Sequence, residues 1–281
     1  MDSILDRLAA HARERVEENK RAYPLEELKA RARDMWTDTS IVTGYPFEKA
    51  LSGPGIHFIC ECKKASPSKG LIAPEFPYLE IALEYEAAGA SAISVLTEPK
   101  WFRGEDRFLQ EIAKIVSIPC LRKDFTVDPY MIYEAKALGA SAVLLICAIL
   151  EDAQLQEYLA LAHELGLSAL VEAHDEEEVG RALAAGARII GVNNRDLRNF
   201  QVDIRNSIRF RSLVPPDRLY VSESGIRTAE DIEALCRNGT NAVLIGETLM
   251  RSPDKKAQLD ALRGCTAAQP PGSLIETSSS L

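Results

Sequence analysis

The chain has 281 residues, 46% apolar and 27% charged, the usage of an ordinary globular protein. That length allows one large domain with a core that needs no disulfide or metal staples. Its 42 acidic residues outnumber 33 basic ones, and the formal net charge of −9 argues against a broad nucleic-acid surface, though not against a local pocket for a small anion.

Residues 1–50 read as a helical extension, with Ile4, Leu5 and Leu8, then Leu25 and Leu28, at helical spacing. The first twenty residues have no apolar signal core. Their acids (Asp2, Asp6, Glu14, Glu17, Glu18) argue against a transit peptide. No run approaches the roughly 18 apolar residues of a membrane span. The expectation is a cytoplasmic protein with no membrane partner. Cysteines at 60, 62, 120, 147, 236 and 265 form no CxxC pair and read as buried, reduced thiols.

From residue 51 one pattern recurs about every 50 residues. Gly89-Ala90-Ser91-Ala92-Ile93-Ser94-Val95 is echoed by Gly139-Ala140-Ser141-Ala142-Val143-Leu144-Leu145. Gly186-Ala187-Arg188-Ile189-Ile190-Gly191-Val192 and Gly239-Thr240-Asn241-Ala242-Val243-Leu244-Ile245 follow. Each glycine ends an amphipathic stretch and precedes a β-rich run, so the unit is helix, glycine, buried strand. Further strand-like runs lie between the copies, at His57–Lys63, Ile118–Phe125, Ser168–Ala173 and Leu219–Ser224. Together they predict eight strands, starting near 57, 91, 118, 141, 168, 188, 219 and 241. Eight apolar strands alternating with helices predict an α/β fold, a single (βα)8 TIM barrel over 51–263. An open doubly wound sheet lacks support, because no GxGxxG follows the first strand. Residues 264–281 are rich in Pro, Gly, Ser and Thr and read as a disordered tail.

In such a barrel the active site lies at the C-terminal strand ends, and residues two apart share a face. Glu61 and Lys63 thus point together on the first strand, and Leu121, Lys123 and Phe125 on the third. The fifth strand ends at Glu172, the sixth at Asn193 followed by Arg195, and the seventh at Glu223-Ser224. Charges of both signs at one mouth shift pKa values, as acid–base chemistry requires. A lysine beside another lysine is expected to become a better proton donor near neutral pH.

Ser224-Gly225-Ile226 and Ile245-Gly246-Glu247 end the last two strands, and Thr228 opens a helix with capping character. Two glycines there expose backbone N–H groups beside a helix N-terminus, a seat for phosphate. The carboxylate of Glu247 repels phosphate, so contact at that position is expected through the backbone. The basic loop Lys63-Lys64-Ala65-Ser66-Pro67-Ser68-Lys69-Gly70 reads as a surface loop or an anion-binding flap. Trp101, Phe102 and Phe125 are candidate walls for a flat ring. His11, His57, His163 and His174 show no metal-ligand spacing, and His174 reads as a loop residue.

These residues resemble a known family. Glu61-Cys62-Lys63-Lys64-Ala65-Ser66-Pro67-Ser68-Lys69-Gly70 is similar to the strand 1 signature of indole-3-glycerol-phosphate synthase. Leu96-Thr97-Glu98 with Phe102, Leu121-Arg122-Lys123-Asp124-Phe125, Val171-Glu172-Ala173-His174 and Gly191-Val192-Asn193-Asn194-Arg195-Asp196-Leu197 match in family order. So do Ser222-Glu223-Ser224-Gly225-Ile226 and Ile245-Gly246-Glu247-Thr248-Leu249-Met250. The helical extension is also a family trait. Some relatives carry Ser where this chain has Glu247.

The resemblance implies closure of 1-(2-carboxyphenylamino)-1-deoxyribulose 5-phosphate to indole-3-glycerol phosphate, with loss of carbon dioxide and water, in tryptophan synthesis. It implies no cofactor and no metal. Lys123 is the implied general acid, held and tuned by Glu61. Glu172 is the candidate base and Lys63 the second donor. Lys63 and Arg195 are placed to meet the substrate carboxylate. Asn193 and Glu223 bind sugar hydroxyls or orient the lysines. Phe102, Phe125, Leu144 and Ile146 line the aryl pocket, and Ser66, Ser224, Gly225 and Gly246 hold phosphate, with the Glu247 backbone beside them. The expected partner is the small-molecule substrate alone, and the expected state a monomer or weak homodimer. Two rivals remain: a phosphoribosylanthranilate isomerase, which needs an Asp/Cys acid–base pair, and a catalytically silent scaffolding barrel.

Overall fold

The computed structural model describes residues 3–37, 44–196 and 200–264. The tail read over 264–281 lies outside them but for Gly264, as do Cys265 and Leu197. Eight parallel strands close a barrel: β1 (His57–Cys62), β2 (Ala92–Leu96), β3 (Cys120–Lys123), β4 (Ala142–Ile146), β5 (Ser168–Ala173), β6 (Ile189–Asn193), β7 (Leu219–Glu223) and β8 (Ala242–Ile245). β1 pairs with both β2 and β8, so no edge is left. β3 is shorter than the run read from the sequence. Pro119 has no N–H for the ladder, and Phe125 already lies in the turn beyond the strand.

Helices precede and connect the strands: α1 (Ile4–Ala22), α2 (Leu25–Thr37), α3 (Pro46–Leu51), α4 (Tyr78–Ala87), α5 (Asp106–Ile115), α6 (Pro129–Ala137), α7 (Asp152–Glu164), α8 (Glu176–Ala184), α9 (Arg205–Phe210), α10 (Ala229–Arg237), α11 (Glu247–Met250) and α12 (Lys255–Arg263). The four repeat glycines, Gly89, Gly139, Gly186 and Gly239, all take positive φ, from 77° to 90°. Each follows a helix, where only glycine turns left-handed without strain.

Alternation along the strands makes two cores. Phe58, Cys60, Ile93, Val95 and Val143 face outward and pack beneath the helices. Ile59, Ala92, Leu121, Leu144, Leu170, Ile189, Val221 and Leu244 fill the lumen. The lumen core is continuous with Leu5, Leu8, Ala12 and Val16 of α1 and with Phe47 and Leu51 of α3. α1 starts from a capping box in which Ser3 and Asp6 satisfy each other's backbone N–H groups.

Cys60, Cys62, Cys120 and Cys147 are buried free thiols, and Cys236 is half-buried. Among the described residues no helix is long and apolar enough to cross a membrane.

Candidate active site

Register decides which side chains meet. Leu96 stands opposite Lys123, Ile146 opposite Glu172, and Asn193 opposite Glu223. The strands therefore end at a common level, and their last inward residues face one mouth. A cavity of about 440 Å³ opens there. Its wall contains Glu61, Lys63, Ser66, Phe102, Lys123, Phe125, Leu144, Ile146, Glu172, Asn193, Arg195, Glu223, Ser224, Gly225, Gly246 and Glu247. Every site residue that the resemblance implies thus borders one space.

The lysines do not pair as read from the sequence. Glu61 does not hold Lys123; it forms an ion pair with Lys63 and accepts from Ser94 Oγ at 3.2 Å. Lys123 Nζ instead lies 3.1 Å from Glu172 Oε2 and 3.2 Å from Glu223 Oε2. The expected drop in its pKa is also absent. Burial works to lower the Lys123 pKa, but Glu172, Glu223 and Glu61 outweigh it and raise it above the ordinary lysine range.

The two carboxyls beside Lys123 are driven apart. Burial works to raise Glu172, but Lys123 and His174 hold it below the usual carboxylate range. Burial pushes Glu223 up to about 7, because Lys123 offsets it only in part and Glu172 adds repulsion. One is thus ionised throughout neutral pH while the other titrates within it, the division that general acid–base sites use.

Two glycines make room for this cluster. A Cβ on Gly191 would sit 2.3 Å from Glu223 Oε1, and one on Gly246 would sit 2.5 Å from Glu61 Oε1. Neither carboxylate could keep its place beside an alanine.

At the β7 and β8 ends, Ser224 and Gly225 take positive φ of 68° and 85°. A Cβ on Gly225 would meet Val202 Cγ1 at 2.4 Å. Asn194 fixes this turn: its Nδ2 donates to Ser222 Oγ and to the Ser224 carbonyl, each at 3.0 Å. Thr248 Oγ1 donates to the Ile226 carbonyl at 2.9 Å and ties α11 to the same turn. The Glu247 side chain is taken by Arg251, 3.1 Å away, while its backbone opens α11. The result is a backbone-lined recess beside Arg227 and Arg251.

The loop after β1 folds back as a short antiparallel pair, Ala65–Ser66 with Gly70–Leu71. It turns Ser66 into the cavity. Phe102 and Phe125 line the cavity as a tilted ring pair with centroids 6.1 Å apart. Trp101 does not line the cavity; its ring packs edge-on against His11 of α1 at 5.2 Å.

Sequence reasoning missed several members. Ile4 and Leu8 of α1 line the cavity, as do Arg227 and Arg251. His174 is no free loop residue: it lies 3.3 Å from Glu172 and 3.0 Å from Glu178. Its position two residues after Glu172, just past the end of β5, was the available signal.

Fold and site together define a (βα)8 barrel with a buried lysine–carboxylate cluster at the mouth of its strands. The family model described as indole-3-glycerol phosphate synthase matches residues 5–262. The chain is 58% identical over 261 residues to the indole-3-glycerol phosphate synthase of Ruminiclostridium cellulolyticum, covering 93% of this chain and 99% of that one. It is 55% identical to that of Endomicrobium trichonymphae, covering 92% and 99%. Among solved structures, 3-hexulose-6-phosphate synthase from Salmonella typhimurium shares the fold, with a TM-score of 0.62 at 14% identity, over 74% of this chain and 97% of that one. The chain belongs to the indole-3-glycerol phosphate synthase family.

Proposed function

We propose that the chain closes 1-(2-carboxyphenylamino)-1-deoxyribulose 5-phosphate to indole-3-glycerol phosphate, releasing carbon dioxide and water, and that Lys123 is its general acid. It is a carboxy-lyase of tryptophan biosynthesis. The observation that carries the residue assignment is the contact of Lys123 with Glu172 and Glu223 at the head of a cavity that also presents an aromatic wall and a backbone recess.

The chemistry follows from where charge must move. The aryl carbon bearing the carboxylate attacks the ketone carbon, and the ketone oxygen gains negative charge. Lys123 gives that oxygen a proton. The carboxylate then leaves as carbon dioxide, and its bonding pair restores the aromatic ring. The new hydroxyl leaves as water after a second proton, for which Lys63 is the donor. Glu172 removes one proton from the nitrogen ring. The oxygen gains two protons and the ring loses one, so each turnover takes one from solvent.

Phe102, Phe125, Leu144 and Ile146 line the aryl pocket in this reading. Ser66, Ser224, Gly225, Gly246 and the Glu247 backbone hold the phosphate. Lys63 and Arg195 meet the substrate carboxylate. Asn193 accepts the Arg195 backbone N–H at 3.0 Å, which supports a role in shaping that corner. The Glu223 contact with Lys123 supports a role for Glu223 in orienting it. The reading needs no cofactor, and it suits a monomer or weak homodimer in the cytoplasm, with residues 1–50 as a cap on a 51–263 catalytic barrel.

The test is the rise of indole fluorescence on adding the carboxyphenylamino-deoxyribulose phosphate, with EDTA present. Turnover is expected. Bound substrate without turnover would favour a silent barrel; neither binding nor turnover would mean that the cavity takes another ligand.

A further inference from the structure

Glu172 has two carboxylate oxygens, and each faces a nitrogen of another side chain. Its Oε2 accepts from Lys123 Nζ at 3.1 Å. Its Oε1 lies 3.3 Å from His174 Nε2, on the side away from Lys123. The far edge of the histidine ring is also taken. Nδ1 stands 3.0 Å from Glu178 Oε2, and the same oxygen accepts the His174 backbone N–H at 2.8 Å.

With a carboxylate oxygen within 3.3 Å of each nitrogen, the ring is favoured in its doubly protonated, charged form. A neutral imidazole would turn a lone pair toward one of the two acids. Burial opposes the charge, but the contacts with Glu172 and Glu178 outweigh it and raise His174 to about 10. The other neighbours do not cancel this. The Cys147 thiol, in the turn after β4, is pushed up by burial to about 12 and is neutral. Arg181 of α8 is turned to Asp152 and to the carbonyls of Cys147 and Leu150. Lys123 of β3 lies beyond Glu172.

We propose that His174 is the positioning residue of the catalytic base, fixing the Glu172 carboxylate from behind and keeping it ionised while Lys123 acts. The proposal rests on the reading of Glu172 as that base. Its logic lies in the order of events. While Lys123 is charged, it holds Glu172 ionised without help. Once Lys123 has given its proton to the ketone oxygen, it is a neutral amine and that hold lapses. A buried carboxylate facing no cation would then draw the proton back. His174 does not contact the substrate cavity, and Glu178 keeps it charged from the outside. Glu172 therefore stays a carboxylate until the later step, when a proton must leave the new ring.

The test is kcat and KM against pH, from 5 to 9, for the wild type and for His174→Gln, Glu178→Gln and Glu172→Gln. Substituting His174 with Gln is expected to lower kcat about tenfold to a hundredfold near pH 6.5, with KM moving far less. Beside the limb that Glu223 sets, the acid limb of Glu172, which lies below this window in the wild type, should shift up toward it, since Glu172 loses a cation. Glu178→Gln should shift the limb the same way by less, because His174 loses its outer carboxylate. A purely structural role would lower kcat without moving the limb. Should His174→Gln fail to fold, the Glu178→Gln shift carries the test. Wild-type pH limbs in both variants, beside an inactive Glu172→Gln, would overturn the proposal and leave Glu172 as the base. An active Glu172→Gln would remove the base assignment itself, and the proposal with it.

Discussion

Arg15 and Asp124 are 109 residues apart in sequence, yet Arg15 Nη2 lies 2.7 Å from Asp124 Oδ1. A second bond, Nη1 to Oδ2 at 3.2 Å, makes the contact a two-pronged fork. Asp124 is fully buried between Lys123 and Phe125 in sequence, and it also accepts from Thr97 Oγ1 at 2.5 Å and from the Phe125 N–H at 2.8 Å. Burial would raise its pKa, but Arg15 and Arg122 hold it below the usual range. The first helix thus grips the strand that carries the proposed acid, while its Ile4 and Leu8 wall the cavity. Arg15→Ala should cost about 2–3 kcal/mol in urea denaturation, because a buried carboxylate loses its fork. It should also raise KM, as α1 loosens over the mouth. A KM and stability equal to the wild type would show that the fork is idle.

Glu223 sets a pH dependence. Its raised pKa of about 7 means that it is protonated below neutrality and ionised above. Activity that needs the ionised form, as a partner for Lys123, should fall as pH drops through about 7. The acid limb of kcat/KM should flatten in Glu223→Gln, with activity low throughout. A limb unchanged by that substitution would assign it to another group.

Gly191 is predicted to be intolerant for a chemical reason. An alanine Cβ there would stand 2.3 Å from Glu223 Oε1 and 3.0 Å from Leu170 Cδ1. Gly191→Ala should push Glu223 off Lys123, lowering kcat about tenfold to a hundredfold and stability by about 1–3 kcal/mol. Gly180, within α8, has no atom within 4 Å of its added Cβ. Gly180→Ala is the control, and should raise stability by about 0.5–1 kcal/mol with no change in kcat.

His163 predicts acid sensitivity away from the site. Burial, with Arg188 adding to it, lowers its pKa from 6.5 to about 4. The unfolded chain therefore binds this proton more tightly than the folded one. The stability that the neutral ring contributes is present above pH 6.5 and is lost as pH falls toward about 4. Its ring meets Tyr45 at 5.7 Å, and the Arg188 guanidinium lies 3.7 Å from the Tyr45 centroid. His163→Gln should flatten the fall in the urea midpoint between pH 6.5 and 4.5. An equally steep fall in the variant would place the acid sensitivity elsewhere.

Four of the eight strands were legible because each carries its own punctuation, and the other four as apolar runs between them. Gly89, Gly139, Gly186 and Gly239 mark helix ends, and the runs after them are too apolar for anything but buried strands. The site was legible as a set of residues, since alternation and strand ends suffice to bring Glu61, Lys63, Lys123, Glu172 and Glu223 to one mouth. The pairing within the set was not. Whether Lys123 leans on Glu61 or on Glu172 and Glu223 depends on strand tilt and side-chain reach, to which spacing is blind. Contacts across long separations, such as Arg15 with Asp124, leave no local pattern. His174 is easily passed over because a histidine after a strand looks like loop, and its partner Glu178 stands on the next helix.

The most direct test of the account is Lys123→Ala, with turnover by indole fluorescence and substrate affinity by titration, measured on one folded preparation. Native circular dichroism is expected, with substrate bound within about tenfold of the wild-type affinity and turnover reduced by at least about a hundredfold, since a general acid contributes about a hundredfold to ten-thousandfold. Turnover within a few fold of the wild type would contradict the account, and would take Lys123 out of the chemistry.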